Sequence, residues 1–113
     1  MTAHPRPNVL FIMADQFRHD FLGCAGAGFV STPNIDRLAA RGMRFTQCIT
    51  NAPVCSPARI ALATGLLGTR TGAMENHDHL PRERPTYYQR FRDWGYRVGC
   101  VGKLDLSKGY RQN

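Results

Sequence analysis

The chain has 113 residues, 42% of them hydrophobic and 20% charged, enough to bury one modest core. Its net charge of +7 comes from 13 arginines and two lysines scattered along the chain, with no run of four and no aromatic-interleaved basic face, so no nucleic-acid partner is expected. No run reaches the ~20 apolar residues of a membrane span, Met1 to Pro7 carries no leader-like segment, and the cysteines lack paired spacing, so a cytoplasmic location with no membrane partner, zinc site or disulfide framework is expected.

The first element is the apolar run Asn8 to Ala14, rich in Val, Ile and Phe and too short for a membrane span, which predicts a buried strand over 8–14. Asp15 stands at its carboxyl end, where parallel α/β sheets place their ligands. Taken alone, Asp15 is equally a cap or a turn residue. An irregular loop over 15–33 follows, holding Cys24 between glycines. Ile35, Leu38 and Ala39 then repeat at helical spacing with Arg37 and Arg41 on the other face, and Gly42 suits the stop, so a helix is predicted over 34–41. A strand is predicted over 43–49 and a loop over 50–56.

Proline belongs in the first turn of a helix because its missing N–H has no partner there anyway. Pro57 therefore predicts a helix over 57–65, with Cys55 at or just before its start. Backbone N–H groups and the positive dipole end at such a place stabilise an anion. A loop over 66–85 follows, most polar from Glu75 to Arg82. Its His77 and His79, two residues apart, are not a helical metal pair; they belong to a solvent-exposed loop or approach a substrate. A helix over 86–94 and a strand over 96–102 complete the reading, with Gly102 and Lys103 leaving the strand end. Cys48 and Cys100 sit in strand-like contexts as small core residues. Strands alternating with helices predict an α/β fold with a mostly parallel sheet flanked by helices.

The run Cys55-Ser56-Pro57-Ala58-Arg59, closed by Thr64-Gly65, resembles the sulfatase signature Cys-x-Pro-Ser/Ala-Arg with its following Thr-Gly. The segment from Asp15 to Asp20 resembles that family's opening loop, and Thr32-Pro33-Asn34-Ile35-Asp36-Arg37-Leu38 resembles a segment that recurs there for architectural reasons. The resemblance runs from Pro7 to Lys108 and covers only the N-terminal portion of the much longer sulfatases, so residues 1–113 are expected to be the N-terminal part of a truncated catalytic domain, inactive by itself.

The resemblance implies a sulfuric ester hydrolase of the alkaline-phosphatase-like superfamily. In it Cys55 is converted by a formylglycine-generating or maturase enzyme to an aldehyde, whose hydrate attacks the sulfur of a small-molecule sulfate ester. Asp15 and Gln16 then become ligands, with the converted Cys55, to a divalent metal: calcium by family, manganese or magnesium as alternatives. Arg59 lies one helical turn from Cys55 and is placed to hold the alkoxide, and Lys103 to touch the sulfate oxygens. Asp105 occupies a position where the family pattern has histidine, so it orients Lys103 or binds the leaving group, while His77 is a further substrate contact. Gln16 departs from the usual second aspartate and lowers the charge of the site. An Asp-Gln opening also resembles phosphonate monoester and phosphodiester hydrolases of the superfamily, whose substrates share tetrahedral shape and single charge.

Overall fold

The computed structural model describes residues 6–107. They form two units, divided between Thr46 and Gln47. In the first, α1 (Pro33–Arg41) is preceded by two short 3-10 turns, His19–Phe21 and Gly23–Ala25. Pro33 opens α1 in its first turn, as its fixed backbone angle favours. Gly42 ends the helix in an extended conformation, not the left-handed one its type would suggest, with its N–H on the Leu38 carbonyl.

Polar side chains lock α1 to the turn before it. The Asp36 carboxylate accepts from the Cys24 N–H (2.8 Å) and from the Thr32 hydroxyl (2.9 Å), and Thr32 Oγ1 itself accepts from the Gly23 N–H (2.8 Å). Gly23 lies so close to the Asp36 carboxylate that a Cβ there would collide with it. The Phe21 and Phe29 rings meet edge to face at 5.0 Å. The apolar positions Ile35 and Leu38 of α1 stay exposed.

The second unit is built on α2 (Cys55–Thr64), which packs against α3 (Gly68–Thr71) and α4 (Tyr87–Asp93). Ile60, Ala61, Ala63 and Ala73 form its apolar core, with Ser56 and Pro57 fully enclosed beside them. Gly65, at φ 70°, takes the left-handed turn that closes α2 and donates to the Ala61 carbonyl. The one-turn α3 lies within the segment expected to be loop. α4 starts on a capping box: the Thr86 N–H donates to Gln89 Oε1 (2.6 Å) while the Gln89 N–H donates to Thr86 Oγ1. Phe91 of α4 meets both Trp94 and Tyr96, just beyond the helix, edge to face.

The predicted strands over 8–14, 43–49 and 96–102 do not form: no ladder exists among the described residues. The apolar run of the first is bare, with Leu10 83% and Ile12 78% exposed, and Phe45, Ile49 and Val101 are likewise in water. A strand of a parallel sheet is stable only when neighbours pair its backbone and cover both faces, and no such ladder exists among the described residues. Cys48 and Cys100, expected in the core, are accordingly exposed, while Cys24 is half-buried. No helix among the described residues is long and apolar enough to cross a membrane.

Two outcomes follow from these locks. Thr86→Ala should lower stability by about 1 kcal/mol, and Thr86→Ser should retain most of it, read from urea unfolding. The hydrogen bonds from Cys24 and Thr32 hold the Asp36 carboxyl below the usual carboxylate range. A carboxyl with a folded value below its unfolded one stabilises fully above about pH 4 and loses that contribution as pH falls further. Thermal melting across pH 2–6 should therefore show an acid-induced drop that is shallower in Asp36→Asn.

Candidate functional site

α2 begins at Cys55 itself, so the thiol stands on the first helical residue and is half-buried. Val54, in the N-cap position, has no side chain able to accept a hydrogen bond from the first turn. That service comes from twenty residues further on: the Ser56 N–H donates to Asn76 Oδ1 (3.0 Å), and the Ser56 hydroxyl donates to the Asn76 carbonyl (3.2 Å). Pro57 has no N–H, and the Ala58 N–H is already bonded to the Val54 carbonyl (3.0 Å). The start of α2 is thus poorer in available backbone donors than its sequence implies.

Arg59 lies four residues on, one turn along the same helix, and only 7% of it is exposed. Burying a guanidinium is costly unless its donors find acceptors. Its Nη1 donates to the main-chain carbonyl of Lys103 at 2.6 Å, which binds the segment after Gly102 to α2. Lys103 Nζ lies 3.8 Å from Asp105 Oδ2; the lysine side chain is 45% exposed and the carboxylate 9%. Arg59, Lys103 and Asp105 are therefore brought together, although 44 residues separate the first from the second.

Asp105 adopts φ 55°, and the one other non-glycine residue with positive φ among those described is Gln16, also at 55°. Left-handed backbone costs an L-residue about 1–2 kcal/mol, and such strain collects at functional sites. Both strained positions coincide with residues singled out from the sequence. Asp15 and Gln16 form an exposed turn in the first unit, whereas the other predicted site residues belong to the second.

His77 stays apart from the Arg59–Lys103–Asp105 group. Its side chain is 78% exposed, with Nδ1 3.5 Å from Glu75 Oε2 and Nε2 3.8 Å from Asp78 Oδ1. Its neighbour Asn76 is the residue of that loop that reaches the helix start, and sequence reasoning missed it. The signal was slight: an asparagine in a polar turn closed by an aspartate two residues later.

Among the described residues no three or more His, Cys, Asp or Glu side chains gather in a way that could hold a metal ion. Asp15 and Gln16 offer hard oxygens of the right kind, but only one is a carboxylate. Calcium takes six to eight oxygens and magnesium six, so these residues do not complete a cation site.

With this geometry established, comparison with known proteins is decisive about family. The sulfatase family pattern matches residues 7–113, and the chain belongs to that family. It is 38% identical over 115 residues to arylsulfatase H of Canis lupus familiaris, covering 91% of this chain and 20% of that protein. To the uncharacterized sulfatase YidJ of Escherichia coli (strain K12) it is 39% identical over 102 residues, covering 90% and 20%. Among solved structures, the phosphonate monoester hydrolase of Agrobacterium radiobacter superposes with a TM-score of 0.77 at 40% identity, over 80% of this chain and 18% of that one. The yidJ protein of Bacteroides fragilis superposes at 0.82 and 35% identity, over 96% and 25%. The chain spans about a fifth of the length of the curated relatives it matches.

The strained turn at Asp105 can be tested directly. Asp105→Gly and Asp105→Ala both remove the carboxylate, but only glycine accepts φ 55° freely. Asp105→Gly should therefore be more stable than Asp105→Ala by about 1 kcal/mol in urea unfolding.

Proposed function

We propose that the chain carries the nucleophile-bearing part of a sulfuric ester hydrolase. Cys55, converted to formylglycine by a formylglycine-generating or maturase enzyme, is the attacking position. Arg59 and Lys103 supply positive charge for an oxyanion, and Asp105 faces the lysine. A sulfate monoester spreads one negative charge over three oxygens, and a guanidinium with an ammonium is suited to hold it. His77 is the most exposed of the proposed substrate contacts. Asp15 and Gln16 are proposed as two oxygen donors to a divalent cation, calcium with manganese or magnesium as alternatives. The remaining donors would come from outside the residues described.

One observation carries this reading. The family match extends over residues 7–113, and within it the Cys55–Gly65 motif coincides with a helix whose first residue is Cys55 and whose Arg59 is bonded to the main chain of Lys103. The apolar runs 8–14, 43–49 and 96–102 are proposed as strands for a mostly parallel sheet. Their neighbours would lie in the four-fifths of the relatives' length that this chain does not span.

A second reading has specific support. The phosphonate monoester hydrolase structure shares 40% identity with this chain, against 35% for the yidJ protein of Bacteroides fragilis. Phosphonate monoesters and phosphodiesters present the same tetrahedral monoanion to Arg59 and Lys103. Side-by-side turnover of an aryl sulfate and a phosphonate monoester, by a protein of the relatives' full length carrying this sequence, separates the two.

Co-expression with a formylglycine-generating enzyme should convert Cys55. The tryptic peptide bearing it should exchange one sulfur and two hydrogens for one oxygen in its mass. An intact thiol under those conditions would overturn the proposal. The 113-residue chain alone should show negligible aryl sulfate turnover, because one carboxylate and one amide cannot grip a divalent ion; robust turnover would contradict that donor count.

A further inference from the structure

Ser56 is completely buried, and both of its polar groups bond to one residue, Asn76. Capping of a helix start is ordinarily done by the residue just before it, whose side-chain oxygen accepts an N–H of the first turn. Here valine occupies that place, and an asparagine from a distant loop does the work. The acceptor is itself held. Asp78 Oδ2 accepts from the Met74 and Glu75 N–H groups, each at 2.7 Å, and the Asp78 N–H returns to the Glu75 carbonyl at 3.1 Å. Those bonds close a tight turn around residue 76. The turn fixes Asn76, Asn76 fixes Ser56, and Ser56 adjoins Cys55.

We infer that Asn76 is a positioning residue for Cys55: a cap supplied from outside the helix that sets the direction of the side chain at position 55. Asp78 supports it by closing the turn. The cap also occupies the Ser56 N–H. Without it, that donor becomes available to a thiolate at Cys55 and the first turn of α2 frays, and both effects raise the reactivity of the thiol. The importance of position 55 as the nucleophile rests on the proposed hydrolase function, whereas the capping geometry does not.

The test uses the full 113-residue chain with Cys55 unconverted. Two rates are read: amide hydrogen exchange at Ser56 by NMR, and alkylation of Cys55 by iodoacetamide, followed by peptide mass with Cys24, Cys48 and Cys100 as internal controls. Asn76→Ala should raise both by about tenfold while the three controls hold steady. Asn76→Asp keeps an oxygen where the Ser56 N–H needs one and should restore exchange at Ser56 to within about twofold. Asp78→Asn weakens the turn without touching Asn76, so it should give a smaller rise at the same two positions, and it serves if Asn76→Ala fails to fold. Unchanged exchange at Ser56, an equal rise at all four cysteines, or failure of Asn76→Asp to restore exchange at Ser56 would each overturn the inference. Conversion of Cys55 is measured separately on the unaltered sequence, so its failure removes the hydrolase reading and leaves these rates as they are.

Discussion

The bond from the Arg59 guanidinium to the Lys103 carbonyl is the constraint that ties α2 to the segment after Gly102. A nearly enclosed cation of this kind is tolerable only while its donors are occupied, so the carbonyl it grips has little freedom to leave. That carbonyl belongs to the residue whose ammonium faces Asp105. Gly102, at φ 91°, and Asp105, at 55°, turn the chain on either side of the anchored residue. The position of the Lys103 main chain relative to α2 is therefore set by that hydrogen bond, while its side chain stays exposed.

The helices were the legible part of the fold. Pro57 and Gly42 marked boundaries through backbone physics that acts within a few residues, and the ends of α1 and α2 lie within two residues of expectation. The Thr86–Gln89 box marked α4 in the same local way, although it went unnoticed. The strands failed for the opposite reason. A run such as Val9 to Met13 states that a segment is suited to burial between layers, but the ladder and the cover come from elsewhere. Within the described residues nothing supplies them.

Site residues divided along the same line. Arg59 and Lys103 were marked by a motif, and their proximity is a long-range fact that the structure adds. The start of α2 has fewer open backbone donors than a helix start without Pro57 and Asn76. Pro57 supplies no N–H, and Asn76 takes that of Ser56. Periodicity could not reveal the last of these, because a partner twenty residues away leaves no mark on local pattern.

The bare run from Val9 to Met13 also bears on how the chain must be handled. Five consecutive apolar, β-prone side chains without an intervening charge form an adhesive tape for other copies of themselves. Concentrated solutions of this polypeptide will tend to cloud, and salts that strengthen apolar association will hasten it. Dilution, low ionic strength and a chaperone that covers extended apolar segments are the conditions under which its chemistry is best pursued.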